Sequence, residues 1–286
     1  MCYRANQASA ATGQSSNSEH TSMTITSPSP VFVPSTELAH SLEQAAHGIL
    51  NAAGVCELAG CTLAELAAIQ LSWNDLPPDA HLKDGGRYRQ RRHSSFIVTA
   101  EQVQVVPHRP HFQPTEYNAL HGGMLRLFEP VAAHTLAQPV WNKLLQAIAR
   151  TCSAVKGERP WYVEAHQFRI NTRDGIGRPT PEGAHRDGVD FVAILLVARK
   201  AVSGGESRLF EAEGRYGQRF TLSEPWTLLL LDDQKVIHES TPIQPTATGG
   251  HRDTLVLTYR SEGFLDPKKV GTQGECPKQE ERYVSR

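Results

Sequence analysis

The stretch Pro179–Gly188 reads PTPEGAHRDG and sets His185 and Asp187 two residues apart. On an extended backbone, residues i and i+2 project to the same side. An imidazole and a carboxylate can therefore reach one metal ion from one piece of chain. A third ligand must come from elsewhere. His238, in the segment VIHES (236–240), follows the apolar run 226–231 and a polar turn. Two histidines and one carboxylate make the facial triad that holds non-haem Fe(II) and leaves positions open for other ligands. Further on, GHRDT (250–254) leads into another strand-like run, with Arg252 and Thr254 on one face. A guanidinium there can grip a carboxylate through two parallel hydrogen bonds, and the hydroxyl can add a third. Spacing alone leaves a plainer alternative open: His185 and Asp187 as a surface pair, His238 as a packed core residue, Arg252 as a solvated charge. With 13 histidines in the chain, one distant histidine adds little by itself.

Other polar groups have several readings. Arg87, Arg89, Arg91 and Arg92 cluster around Tyr88, with His93 alongside. Such a cluster can be a nucleic-acid footprint, a solvated loop or a contact for a substrate carboxylate. The formal net charge is −1, which gives no general attraction to nucleic acid or an anionic membrane. In the run 161–170, Gln167 and Arg169 share one face and His166 takes the other. Arg169 can bind a substrate carboxylate or form an external salt bridge, while His166 fits a packed histidine better than a fourth ligand. Gly204-Gly205 reads as a tight turn between strands, since no GK[ST] follows that would make it a phosphate loop. Asp232-Asp233 reads as a turn before His238. Cupin-like metal sites carry HxH, which this chain lacks.

These groups must be carried by a scaffold. Leu38, Leu42, Ala45 and Ile49 recur at helical spacing. Thr62 with Glu65 is a capping-box pattern. Trp141, Leu144, Leu145, Ile148 and Cys152 form one apolar stripe after Pro139, ended by Gly157. From Trp161 the texture changes to short β-type runs separated by turns, with no long helical pattern between them. That excludes a parallel α/β sheet and points to a sandwich or barrel, of which the double-sheet jelly roll is one. The layout is helices first, then a β core at about 160–262, in one domain over 31–265. Residues 1–30, rich in Ser, Thr, Asn and Gln, read as disordered, with Met23 as an alternative start. Residues 266–286 read as a tail. The composition, 39% apolar and 21% charged, is that of a globular protein. Five unevenly spaced cysteines with no CxxC suggest reduced thiols. No apolar run is long enough for a membrane span, so a cytoplasmic protein is expected.

The order HxD…H…RxT resembles the 2-oxoglutarate/Fe(II) dioxygenases. Within them, the sequence resembles the bacterial amino-acid hydroxylases typified by isoleucine dioxygenase. The resembling segments are RYRQRR (87–92), Tyr117-Asn118 with Gly122-Gly123, HQFR (166–169), PTPEGAHRDGVDF, Gly204-Gly205-Glu206 and the segments around His238 and Arg252. They span roughly 75–260. The resemblance implies a double-stranded β-helix of jelly-roll type. It implies Fe(II) on His185, Asp187 and His238, with 2-oxoglutarate and O2 as cosubstrates. Arg252, helped by Thr254, would hold the far carboxylate of 2-oxoglutarate. Arg252 lies 14 positions after His238, with 242–250 reading as an inserted loop, and Arg260 is the alternative further along the same face. The expected substrate is a free L-amino acid, aliphatic by analogy, with Arg169, Gln167 and Arg92 as candidate contacts. A peptide, a carrier-bound residue or a natural-product intermediate is the alternative substrate. A cupin-like metal-binding protein without oxygenase activity is the alternative function.

Overall fold

The structure, a computed structural model, describes residues 28–267. The expectations for the N-terminal segment and the tail fall almost wholly outside that range.

A helical layer comes first. A 3-10 turn leads into α1 (Leu38–Ala45), which stops at Ala46 with a positive φ of 59°. Ile49, expected on this helix, instead sits on β1 (His47–Leu50). Next come α2 (Ala52–Ala59) and α3 (Leu63–Gln70), the latter opened by the capping box of Thr62 and Glu65. A 3-10 turn, Leu71–Asp75, follows. The strands β2 (Arg89–Val98) and β3 (Val103–Val105) precede the short α4 (Ala133–Leu136) and the long α5 (Pro139–Lys156). The latter buries its apolar stripe and ends at Gly157. Then come β4 (Trp161–Asn171), β5 (Phe191–Lys200), β6 (Val202–Gly204), β7 (Ser207–Glu211) and β8 (Gly217–Phe220). The chain closes with β9 (Thr227–Asp232), β10 (Val236–Ser240), β11 (Ile243–Pro245) and β12 (His251–Arg260).

A seven-stranded sheet has the order β1-β9-β5-β12-β4-β2-β3, and a smaller one the order β10-β7-β8. Every pairing is antiparallel. The stretch 242–250, expected as loop, contains β11, which pairs with β6. The large sheet also draws in β1, β2 and β3 from outside 160–262. β2 was not legible as a strand because its two faces carry Arg89, Arg91 and His93 against Gln90 and Arg92, with no apolar alternation.

The large sheet is buried on both sides, which explains its nearly unbroken apolar runs. Ala193, Leu195, Val197, Leu228, Leu230, Leu255 and Leu257 pack against the helices, with Trp141, Leu145 and Ile148 of α5 opposite. Val192, Leu196, Leu229 and Leu231 point the other way and meet Leu209, Phe220, Leu222 and Val236 around the small sheet. This is the mainly β architecture that the strand pattern implied, in the jelly-roll form that the family resemblance implied. No single described helix is long and apolar enough to cross a membrane.

The two-sided packing separates stability from chemistry. Leu230 is fully buried on the helix side. Leu230→Ala should lower the unfolding free energy by about 2–5 kcal/mol in urea denaturation, while metal affinity of the folded protein is unchanged.

Candidate active site

Between the sheets, next to the apolar contacts, lies a cavity of about 110 Å³. Alternation decides what faces it. β4 turns His166, Phe168 and Ile170 inward, β12 turns Arg252, Thr254 and Val256, and β5 contributes Ile194. Arg89 and Arg91 enter from β2 and His238 from β10. The connection between β4 and β5 supplies Glu182, His185 and Asp187.

His185 and His238 are paired through the backbone. His185 N–H donates to His238 O at 3.1 Å, and His238 N–H donates to His185 O at 2.9 Å. Asp187 lies between the two rings, with Oδ1 3.8 Å from His185 Nε2 and Oδ2 3.5 Å from His238 Nε2. One potential ligand atom from each of the three residues falls within 4.8 Å of the others. The buried turn residue Asp233 fixes the loop by accepting the N–H groups of Asp187, Gly188 and Val189 at 3.0, 2.8 and 3.1 Å. Gly188 has φ 77°, and a Cβ there would stand 2.5 Å from the Tyr117 ring, so this position requires glycine.

The donor set fits a divalent iron ion. His185 Nδ1 donates to Gly183 O at 2.9 Å, which leaves its Nε2 lone pair facing Asp187. His238 Nε2 is buried without a hydrogen-bond partner. Burial works against ionisation of Asp187, but His238 and His185 hold its carboxyl well below the usual range. Burial works against the charged form of His238, yet Asp187 and Asp233 push it up to about 10. A cation at this point would replace that proton.

Three residues not singled out as site residues from sequence hold the carboxylate in place. Gln113 donates to Asp187 Oδ1 at 2.9 Å, and its own Oε1 accepts from Asn118 Nδ2 at 3.1 Å and Arg126 Nη2 at 2.9 Å. They sit on the long connection after β3, whose irregular sequence has no periodicity to betray its role.

Arg252 and Thr254 line the cavity that contains the triad. Arg252 Nε and Nη2 are buried and unpartnered. Burial and the neighbouring Arg199 lower the guanidinium to about 10, still charged at neutral pH. Arg260 is spent at the end of β12 on Gly263 O at 2.7 Å and does not line the cavity.

The expected substrate contacts point elsewhere. Arg92, Gln167 and Arg169 lie on the opposite face of β2 and β4, under the Leu71–Asp75 turn. Arg92 donates to Asp75 O and Pro130 O, and Gln167 donates to Ser72 Oγ at 2.8 Å. Arg169 grips Asp253 through both oxygens at 2.8 and 2.7 Å. The parity of each strand sends their neighbours inward instead. Arg89, Arg91 and Arg126 line the cavity, and each keeps one buried N–H group unpartnered. Asp79 balances Arg89 at 2.7 Å.

A second histidine-rich group, His93, His111, Glu164 and His166, lies beside these arginines. It is closed on itself. Glu164 bonds His93 Nε2 at 3.0 Å and His111 Nδ1 at 3.2 Å, and Arg91 Nη2 donates to His166 Nδ1 at 2.7 Å. Burial lowers all three imidazoles, His111 to about 4, so they are neutral. With Arg91 hydrogen-bonded to it and Arg109 3.9 Å from Glu164, the group anchors cations of the protein rather than a metal.

Asp233 holds the backbone of the loop and stands 3.7 Å from His238 Nε2, and so sets where Asp187 stands. Asp233→Ala should weaken Mn(II) or Fe(II) binding by about 10–100-fold in anaerobic titration calorimetry. Unchanged affinity would show that the loop holds itself.

Residues 70–258 match the family model described as 2OG-Fe dioxygenase. The crystal structure of a bsmA homolog from Methylobium petroleophilum PM1 is 49% identical, covers 84% of this chain and 98% of its own, and superposes with a TM-score of 0.79. IDO from Bacillus thuringiensis shares the fold at 21% identity, with coverage of 80% and 99% and a TM-score of 0.63. The Fe(II)/(alpha)ketoglutarate-dependent dioxygenase TqaL does so at 18% identity, with coverage of 79% and 86% and a TM-score of 0.57. No curated sequence matches the chain. The family match over most of the folded chain, on a jelly roll that brings a buried His-Asp-His group together, makes this protein a member of the 2OG-Fe dioxygenase family, an enzyme that uses Fe(II), 2-oxoglutarate and O2.

Proposed function

We propose that the enzyme hydroxylates an unactivated C–H bond of a free L-amino acid with an aliphatic side chain. In this reading His185, Asp187 and His238 hold the iron, and Arg252 with Thr254 holds the far carboxylate of 2-oxoglutarate. The bound iron supplies oxygen activation, coupled to conversion of 2-oxoglutarate to succinate and CO2, with one oxygen atom going to the substrate. The protein's own part is to position, neutralise and exclude water.

The observation that carries the substrate assignment is the charge on the cavity wall beyond β4. Arg89 Nη2, Arg91 Nε and Arg126 Nε are buried N–H donors without partners, and Glu182 Oε2 is a buried acceptor without one. A zwitterion answers both: its carboxylate meets the guanidinium groups and its ammonium meets Glu182. A peptide or carrier-bound residue lacks the free carboxylate and would leave desolvated donors unpaired, a cost of about 1–3 kcal/mol each. Phe168, Ile194 and Val256 supply apolar surface for an aliphatic side chain. A cytoplasmic setting fits the free thiols of Cys56, Cys61 and Cys152.

The test is turnover of the proteinogenic amino acids and their carboxamides, read as a mass gain of one oxygen. One or more free aliphatic acids should gain it and their amides should not. Consumption of 2-oxoglutarate with no shifted amino acid would leave the dioxygenase standing and remove the substrate. Arg91→Met keeps bulk against Phe128 and should raise KM for the amino acid while leaving that for 2-oxoglutarate near its original value.

For the cosubstrate the order reverses. Arg252→Ala should raise the KM for 2-oxoglutarate by about 30-fold or more, with Thr254→Val milder and Arg260→Ala neutral. A crippled Arg260→Ala beside an unaffected Arg252→Ala would contradict the assignment.

A further inference from the structure

We propose that Arg199, which stands beside Arg252 and behind the cavity wall, is a second arginine of the 2-oxoglutarate site and shares the far carboxylate with Arg252. The proposal rests on the assignment of Arg252 above.

The placement of Arg199 comes from a break in strand parity. Val192, Ile194 and Leu196 of β5 face inward and pair with Thr258, Val256 and Thr254 of β12. Continued alternation would send residue 198 inward and Arg199 out. Instead the register shifts between Asp253 and Thr254. Thr254 pairs with Leu196 and Asp253 with Ala198, so Val197 is the extra residue of a bulge. Beyond it Arg199 pairs directly with Arg252. A bulge re-aims the side chains that follow it, and this one sets two guanidinium groups side by side.

Like charges opposite each other on adjacent strands destabilise a sheet, and Asp253 eases the charge of Arg252 only through space. Asp253 points to the other face, where Arg169 occupies both its oxygens. Among the described residues, neither Arg199 nor Arg252 makes an ion pair with an acidic side chain. Arg199 Nη1, Arg252 Nε and Arg252 Nη2 are all buried and unpartnered. Three donors on two cations are the complement of one carboxylate with two oxygens.

The surrounding turn is shaped for the pair. Arg199 Nη2 donates to the carbonyl oxygens of Gly204 and Val202 at 2.6 and 3.3 Å, which fixes the guanidinium and leaves Nη1 free. Gly205, with φ 66°, faces both side chains. A Cβ there would lie 3.0 Å from Arg199 Nη1 and 3.6 Å from Arg252 Cδ. The Gly204-Gly205 pair thus makes the tight turn and also leaves room for two arginines.

The experiment measures ligand binding to the Mn(II)-loaded, catalytically idle enzyme by calorimetry. The ligands are 2-oxoglutarate and 2-oxopentanoate, which has a methyl group in place of the far carboxylate. Arg199→Gln should weaken 2-oxoglutarate by about 10–100-fold and 2-oxopentanoate by less than about twofold. Arg199→Lys, which keeps the charge and loses the fork, should fall between. Equal weakening of both ligands would mean that Arg199 only holds the turn, and unchanged 2-oxoglutarate affinity would remove it from the site; either result overturns the proposal. Arg252→Gln is measured alongside. If it leaves 2-oxoglutarate binding intact, the parent assignment fails; if it alone weakens binding, only the role of Arg199 fails.

Discussion

The carboxylate of Asp233 accepts three successive backbone N–H groups, those of Asp187, Gly188 and Val189, at a point 1% exposed to solvent. The site depends on this clamp. Two of the three proposed iron ligands sit on a long irregular connection between β4 and β5, where the chain has no ladder of its own. Asp233 ties that connection to the turn after β9, and the reciprocal hydrogen bonds of His185 and His238 tie it to β10. The ligand atoms are therefore positioned by backbone anchored to two strands. Gln113 then orients the remaining carboxylate from a third direction.

The second constraint is charge in a dry place. Arg89, Arg91, Arg126 and Arg252 are all buried in the cavity wall. Burial lowers Arg126 and Arg252 to about 10, so both stay charged at neutral pH. A buried cation is costly without a partner. Asp79 and Glu164 answer part of this charge, and the remainder is directed at the cavity. Phe168 and Ile170 of β4 stand between Arg89 and Arg91 on β2 and Arg252 on β12. The cationic wall is thus divided by an apolar strip into two sets of guanidinium groups. This arrangement is what the proposed reaction would need, with one carboxylate on the cosubstrate and another on the substrate.

The sequence carried the metal group through the HxD…H…RxT order together with its surrounding segments, since the spacing alone also fitted a surface pair and a packed histidine. Arg252 and Thr254 were legible as residues on one face of a strand, and both line the cavity. The cationic wall beyond β4 was not legible. Arg92, Gln167 and Arg169 are polar residues on strands that do reach the cavity, but each occupies the outer face, beneath a 3-10 turn whose position no local pattern reveals. Their neighbours Arg91, His166 and Phe168 are the ones that enter. A one-residue error of face exchanges every side chain of a strand. Arg199 was hidden by the bulge at Val197, which breaks the alternation on which such readings rest. Asp233 looked like an ordinary turn residue, since its three partners are backbone groups 44 to 46 positions away.

The most direct test is optical. Under anaerobic conditions, Fe(II) chelated by 2-oxoglutarate has a visible charge-transfer absorption that responds to a substrate bound beside the metal. The wild-type enzyme should develop this band, and His238→Ala should not. A free aliphatic amino acid should then perturb the band while its carboxamide leaves it unchanged. A band that forms without His238, or that shifts equally with the amide, would contradict a single cavity built around that metal group and a zwitterionic substrate.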